Sequence, residues 1–349
     1  SGYKLEYKYF VDLFRIIEHR MHVVIVDGTL LAYKLNSLSL DSITRALKLA
    51  KDDEEAKQKI DYKIFDKTEW TFEEEKQIKE YVKRDIDLTI KLNVWVHEQF
   101  DSWKFHLSEG DAKRLKHITS APSVYAYKVL CNKVGFNEDY AEYKEKLYQG
   151  DGGYVAYPGA EKVVGDVYCF DFASLYPHIM IQCNLFGRNK DKQEGWNGGG
   201  MFKVEGWYND KELAKTGSVL YDMYMERKKL KQEKNPKEYG LKIVMNTTYG
   251  LLRNPRFVNV YDKVAGNECC MIGQQCVKFA RKKFKEAGYF VFYTDTDSVY
   301  IQDKFNDKTR LQAVKQEIIN EIKLHLPFPK ETFDMSMDYA IDLILFFLG

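Results

Sequence analysis

The six cysteines of the chain, at positions 131, 169, 183, 269, 270 and 276, include no CxxC pair, and none stands with histidines at zinc-binding spacing. That pattern argues against zinc and dithiol redox motifs and leaves reduced, mostly buried thiols of an intracellular protein. Long apolar runs are missing too. None reaches the ~18 residues of a membrane span, so no membrane partner is expected. The amino terminus, SGYKLEYKYF, has no apolar segment of the kind that makes a signal peptide. Neither sign of charge is in excess, because 53 basic and 52 acidic residues leave a net charge of +1. Overall charge therefore does not advertise a polyanionic partner, although balanced totals leave room for a basic cleft. Internal repeats and low-complexity tracts are absent. An initiator methionine is absent as well, and the sequence stops inside the apolar stretch DLILFFLG. Both ends are expected to be cut, leaving a fragment or one part of a larger assembly.

What is present is core-forming material. Hydrophobic residues make up 45% and aromatic residues 15% of the 349 positions, which predicts large packed cores and two or three domains. Up to about residue 115 the sequence is rich in charged helical segments. TFEEEKQIKEYVKRDIDLTIKLNVWVHEQF places Ile78, Val82, Ile86 and Ile90 at helical spacing, with Thr71 and Glu74 as a capping pair. From about 120 the texture changes to YQGDGGYVAYPGAEKVVGDVYCFDF, a loop leading into a strand over 163–170. GRNKDKQEGWNGGG predicts a flexible polar loop over 187–200. Helices are predicted over about 210–233 and 237–252, joined by KNPKEYG with Pro236 in the first turn of the second, and again over about 264–287. Strands and helices interleave, so the class is mixed α/β.

The stretch YFVFYTDTDSVYI, residues 289–301, sets Asp295 and Asp297 among Phe290, Phe292, Val299 and Ile301, which are expected to be buried. Two unit charges ~4 Å apart repel by about 4 kcal/mol at an effective dielectric near 20. A basic side chain, a proton or a metal ion must neutralise them. The strand-like flanks predict a β-hairpin with the pair at its tip, and on extended backbone residues i and i+2 point to one face. An acidic turn, in which aspartate caps its own backbone, is the plainer alternative.

Two further constellations bear on that choice. VYCFDFASLYPHIM puts Asp171 at the end of an apolar strand, with Ser174 as the expected cap of a helix starting near Leu175 and Pro177 in its first turn. A carboxylate there, beside the exposed amides of a helix start, can hold a cation next to an anion site, or mark an ordinary strand-to-helix junction. YMERKKLKQ puts Arg227 and Lys231 on one helix face, leaving Lys228 and Lys229 to solvent. KIVMNTTYG aligns Lys242, Asn246, Tyr249 and Gly250 along the next helix. Such a face suits a polyphosphate with a planar or sugar group beside it better than a core.

DFASLYPHIM, KIVMNTTYG and YTDTDS stand in the order and spacing of motifs A, B and C of the family B DNA polymerases, and the chain resembles that family over nearly its whole length. GDGGYVAYPG, residues 150–159, resembles the linker between exonuclease and polymerase domains, and YVKRDIDLTIKL resembles the third motif of the proofreading exonuclease, with Tyr81 and Asp85 in the matching positions. The resemblance implies an RNase H-like exonuclease remnant, then a polymerase palm built on an antiparallel sheet, with helical fingers inserted and the thumb missing. By residue, 1–115 is the end of the 3′→5′ exonuclease domain, 116–186 the first part of the palm, 187–259 the fingers, and 260–349 the second part of the palm.

Template-directed addition of dNMP from dNTPs to a primer 3′-hydroxyl, with release of pyrophosphate, is the implied reaction. Asp171, Asp295 and Asp297 are the implied catalytic residues. Asp171, Asp297 and the carbonyl of Phe172 would bind two Mg²⁺ ions, with Mn²⁺ as a substitute, and Asp295 would support them. Phe172, Ser174, Leu175, Tyr176, Arg227, Lys231, Lys242, Asn246, Tyr249 and Gly250 would form the nucleotide site. Within it, the amides of Ser174 and Leu175 and the three basic residues would hold the triphosphate, Tyr176 would underlie the deoxyribose and exclude a 2′-hydroxyl, and Tyr249 and Gly250 would border the nascent base pair. A packed core tyrosine is the alternative for Tyr176.

Some positions depart from the family pattern. Thr294 stands where glycine is commoner, His178 and Thr247 where serine is usual, and Asp338 where glutamate is frequent. Asp12 and Asp27 do not sit in the contexts of the earlier exonuclease motifs, so the chain alone is expected to lack exonuclease activity. Primer–template DNA and dNTPs are the expected partners, with a sliding clamp or a second chain carrying the thumb. The expected setting is intracellular, in cytoplasm or nucleoid for an archaeal source and in the host cell for a viral one. The rival readings are a DNA- or dNTP-binding fragment without turnover, and a 3′→5′ exonuclease in the full-length chain.

Overall fold

Reciprocal bonds between Thr71 and Glu74 open one long helix: the Thr71 amide donates to Glu74 Oε2 (2.9 Å) and the Glu74 amide to Thr71 Oγ1 (3.3 Å). This is the capping pair that the sequence predicts. It belongs to a computed structural model that describes residues 40–50, 60–110, 122–142, 152–156, 162–235 and 237–345. Asp12, Asp27, Pro236 and both ends of the 150–159 stretch lie outside the described residues, and of Asp338 only the strand backbone is described. The chain divides into two compact units, Ser1–Tyr125 with Glu233–Ile243, and Ala126–Gln232 with Val244–Gly349.

In the first unit α1 (Leu40–Ala46) packs on α2 (Phe72–Lys104). Among the described side chains of α2, Tyr81, Leu88 and Leu92 are buried, whereas Val82, Ile86 and Ile90 of the sequence stripe are exposed. Helical geometry accounts for the difference. A strict four-residue step drifts ~40° per step round a helix of 3.6 residues per turn, while steps of seven and four stay close to one line. The unit also holds the start of α3 (Pro122–Val134) and of α6 (Glu238–Arg253).

The second unit is built on an antiparallel five-stranded sheet in the order β1-β3-β4-β2-β5, from β1 (Val155–Ala156), β2 (Lys162–Phe172), β3 (Phe290–Asp295), β4 (Ser298–Gln302) and β5 (Met335–Leu345). Around it run α4 (Leu175–Gln182), α5 (Lys215–Gln232), α7 (Lys263–Glu286) and α8 (Lys308–Leu324). The class is mixed α/β, as the interleaved sequence pattern predicts. Helix α7 packs against β3 and β4, and its Phe284 ring lies 5.1 Å from that of Phe170 on β2. Phe292, Val299 and Ile301 are buried as expected, but Phe290 is exposed, with Lys304 Nζ 5.5 Å from its ring centre. A register shift between Val291 and Tyr293 breaks the alternation, so Val291 takes the place expected of Phe290.

The glycine-rich segment 187–200 is folded rather than loose. Trp196 and Tyr208 exchange backbone bonds of 2.9 Å in both directions, and the Trp196 indole donates to the His325 carbonyl (2.8 Å). The buried Glu268 carboxylate accepts from the amide of Gly206 (2.6 Å) and from the hydroxyl of Tyr208. Composition suggested a loop, but long-range partners fix it. A Cβ at Gly198 (φ +115°) would lie 2.0 Å from the Phe202 carbonyl oxygen, so this turn requires glycine.

Candidate active site

Strand β2 carries Asp171 to its end, where the residue lies opposite Ser298 of β4 and Ser336 of β5. The β3–β4 hairpin ends at the same level, with Asp295 opposite Ser298 and a two-residue turn of Thr296 and Asp297. The Phe172 amide donates to the Asp297 carbonyl (2.9 Å), which docks the hairpin tip on the end of β2. Asp171 and Asp297, 126 positions apart in sequence, thereby share one end of the sheet. Phe172 turns its ring into the core, where it stacks on Phe333 at 5.6 Å, so only its backbone is available to the site.

The hairpin matches expectation, but the argument from strand alternation fails. Thr296 has left-handed backbone (φ +51°), and the Asp297 amide folds back to the Asp295 carbonyl at 2.5 Å. Asp295 and Asp297 therefore do not lie on a continuous extended segment, and the turn sets their directions separately. The Asp295 carboxylate accepts from the hydroxyls of Thr296 (2.9 Å) and Tyr293 (3.3 Å), and Ser298 Oγ donates to its carbonyl (3.0 Å). Asp295 is thus held by its own hairpin. Thr294, one residue earlier, is buried with no hydrogen-bond partner for its hydroxyl.

Ser174 stands at the start of α4 but does not cap it. Its backbone is left-handed (φ 53°, ψ 55°) and its hydroxyl makes no capping bond, because the cap geometry needs extended backbone to bring Oγ onto the first-turn amides. Its carbonyl instead accepts from the amide of His178 (3.1 Å) and from the ring Nδ1–H of His178 (3.2 Å). The first-turn amides of α4, those of Leu175 and Tyr176 among them, have no intrahelical acceptor, and Leu175 itself buries its side chain. His178 is fully buried, its Nε2 meets Thr332 Oγ1 at 3.0 Å, and its ring lies edge-on to Tyr224 of α5 at 4.6 Å. Burial pushes its pKa down to about 4, against smaller opposing effects from the Ser174 and Ala173 carbonyls.

Tyr176 is half-buried and stacks on Tyr249 of α6, with ring centres 4.8 Å apart and planes 14° from parallel. Its hydroxyl lies 4.0 Å from Cys270 Sγ, and burial raises its pKa above the usual tyrosine range. Tyr249 is pushed up to about 12, chiefly by burial, and its hydroxyl accepts from Arg253 Nη1 at 2.6 Å. A Cβ at Gly273 would lie 2.9 Å from Tyr176 Cε1, so this glycine lets α7 approach the ring. Cys270, Gly273 and Arg253 are supports that the sequence reading missed. Arg253, four residues after Tyr249 on one helix, carried a legible spacing; the other two carried none.

Asn246 and Gly250, one turn apart on α6, are both exposed, and a Cβ built on Gly250 meets nothing within 4 Å. On α5 Arg227 is half-buried and Lys231 exposed, while Lys228 and Lys229 face solvent as predicted. Lys242 falls in the first unit, with Nζ 6.0 Å from the centre of the Tyr239 ring. Tyr81 and Asp85, also in the first unit, lie one turn apart on α2. Tyr81 is buried, with its hydroxyl 3.1 Å from that of Tyr62, and the Asp85 carbonyl accepts from Thr89 Oγ1 (2.6 Å).

Among the described residues no group of three or more histidine, cysteine, aspartate or glutamate side chains is arranged to hold a metal ion. Two aspartates and a backbone carbonyl nevertheless make an all-oxygen donor set. Mg²⁺ commonly takes one or two carboxylates and completes its shell with water and substrate phosphate, so the residues present fit such an ion. No helix among the described residues is long and apolar enough to cross a membrane.

No family model matches the chain. Curated relatives include DNA polymerase 1 of Pyrococcus abyssi, 26% identical over 177 residues that make up 46% of this chain and 22% of the relative. DNA polymerase of Archaeoglobus fulgidus is also 26% identical over 177 residues, 47% of this chain and 22% of the relative. DNA polymerase 1 of Saccharolobus solfataricus is 26% identical over 197 residues, 48% of this chain and 20% of the relative. The matched region thus spans about a fifth of the length of these relatives. Among solved structures, the family B DNA polymerase from the hyperthermophilic archaeon Pyrobaculum calidifontis superimposes with a TM-score of 0.61 at 15% identity, covering 89% of this chain and 41% of that one. The chain has the fold of a family B DNA polymerase and resembles archaeal DNA polymerases in sequence over about half its length.

Proposed function

We propose that the protein carries the nucleotidyl-transfer centre of a template-directed DNA polymerase, adding dNMP from dNTPs to a primer 3′-hydroxyl. The observation that supports this most is the docking of the hairpin tip on β2, which sets Asp297 beside the strand end that bears Asp171. Asp171, Asp297 and the Phe172 carbonyl would hold Mg²⁺, or Mn²⁺ in its place, and bound metal would supply charge stabilisation at the α-phosphate and a more acidic 3′-hydroxyl. Asp295, tied down by Tyr293 and Thr296, supports the turn without needing to touch the ion.

The uncapped amides of Ser174 and Leu175 offer N–H donors to the triphosphate, and Arg227 and Lys231 offer charge. These groups act mainly by position, as phosphoryl transfer demands. Tyr176, backed by Tyr249, forms a flat apolar floor suited to a deoxyribose. Gly250 costs helix stability, roughly 1 kcal/mol relative to alanine, and the protein's own packing does not require it. Room left for a base pair accounts for it.

The test is single-nucleotide extension of primed templates that differ in one base. Incorporation dictated by the template base is the expected result. Binding of primer–template and dNTP without extension would favour a binding module over an enzyme.

Tyr176→Ala should admit ribonucleotides more readily by roughly 10-fold or more, whereas Tyr176→Phe keeps the ring and should keep the selectivity. Competition between ATP and dATP in the extension assay measures both, and unchanged selectivity in the alanine variant removes this role. Gly250→Ala should raise stability by roughly 0.5–1 kcal/mol while slowing incorporation. Denaturant unfolding beside extension separates the two effects. A variant both more stable and fully active would show that the open space serves no substrate.

A further inference from the structure

We propose that Gly153 is a positioning residue for the acidic hairpin, acting through Thr296. This rests on the polymerase reading, which it extends to a residue outside the metal and nucleotide groups. Thr296 is a β-branched residue with a left-handed φ of +51°, a conformation that such side chains adopt only when their surroundings impose it. Three contacts with one short segment impose it here. The Thr296 amide donates to the Tyr154 carbonyl (2.9 Å), Val155 pairs with Asp295 across β1 and β3, and the Thr296 side chain fills the space where Gly153 has no Cβ.

A Cβ at Gly153 would lie 2.6, 2.7 and 2.9 Å from Oγ1, Cγ2 and Cβ of Thr296. Gly153 has no left-handed φ of its own, so its backbone does not exclude alanine, and the nearest atoms that a side chain would meet are those of Thr296. The segment is in turn strapped to α7. Gln274 Nε2 donates to the Gly152 carbonyl (2.6 Å), Cys270 Sγ lies 3.3 Å from that oxygen, and Arg281 Nη1 donates to the Tyr154 hydroxyl (2.8 Å). Lys278 Nζ sits 4.7 Å from the centre of the Tyr154 ring. Thr296 is therefore clasped between a strap anchored on a helix and the carboxylate of Asp295, to which its hydroxyl donates. The next residue, Asp297, is the one docked on β2. A displacement of Thr296 passes directly into the direction of Asp297.

Gly153→Ala, Thr296→Gly and the pair of substitutions form the test, read by Mn²⁺ titration with electron paramagnetic resonance and by single-turnover primer extension. Gly153→Ala should weaken Mn²⁺ binding and slow incorporation by up to ~100-fold, the scale of a 1 Å misplacement, with half-saturation by dNTP unchanged. Thr296→Gly removes the three atoms nearest to the new methyl and accepts the left-handed turn, so the pair should return to the level of Thr296→Gly alone. Wild-type Mn²⁺ affinity in Gly153→Ala, or a pair no better than Gly153→Ala, would overturn the inference. If the predicted pattern appears in Mn²⁺ binding while the wild type extends no primer, the positioning role stands and the polymerase reading falls. If the wild type extends primers and Gly153→Ala matches it, the reverse holds.

Discussion

Primer extension by an Asp171→Asn, Asp297→Asn double variant is expected to fall by roughly 10³-fold or more, because removing metal-held transition-state stabilisation of ~4 kcal/mol has that effect on rate. Asparagine preserves the shape of each side chain and removes its charge. The bond from the Phe172 amide to the Asp297 carbonyl is a backbone feature that the substitutions leave alone. Denaturant unfolding beside the extension rates separates lost chemistry from lost folding.

Asp295→Asn provides the contrast. Its carboxylate accepts two hydroxyl bonds within the hairpin, and weakening bonds to a charged acceptor costs roughly 1.5–3 kcal/mol each at most, so stability should fall together with activity. Rates and unfolding midpoints of the three proteins decide the matter. Extension by the double variant at the wild-type rate would show that the chemistry lies elsewhere.

His178 gives the second large effect. Its pKa, near 6.5 in an unfolded chain, is pushed down to about 4 in the fold, chiefly by burial and with a further push from Lys323. The unfolded state then binds more protons than the native state between those values. The contribution of neutral His178 is fully present above the unfolded pKa and is lost as pH falls toward the folded one. Between pH 7 and pH 5 the loss is about 2 kcal/mol. Urea unfolding at the two pH values should show it for the wild type, while His178→Gln, which cannot charge, should show a much smaller difference. An equal slope in the variant would mean that other groups carry the acid sensitivity.

These two sites also show what a sequence can disclose. The hairpin was legible because β-branched and aromatic residues flank a polar tip, and Asp171 because an apolar strand runs straight into it. Their meeting was not legible, since it depends on a register between strands more than a hundred positions apart. The direction of the acidic pair is not legible, because period-two alternation holds only on extended backbone and a left-handed threonine lies between the two aspartates. Ser174 looked like a helix cap by residue type, yet capping depends on a backbone angle that composition does not carry. In the first unit the four-residue stripe on α2 correctly marked a helix but not its buried side, because the stripe precesses. The glycines of the segment 187–200 suggest flexibility, while the partners that fix it, Glu268 and His325, lie far along the chain.

The burial of the thiols has a practical corollary for labelling. All six cysteines are unpaired by disulfides and buried. Desolvation raises the pKa of Cys131 to about 11 and of Cys276 to about 12, with Cys183 and Cys269 also well above the ordinary range. Thiolate is the reactive form, so those four should be silent toward maleimides at neutral pH, and burial shields all six from the reagent. A cysteine introduced at exposed Lys229 would then take a fluorophore selectively, beside Arg227 and Lys231, with every native thiol left in place.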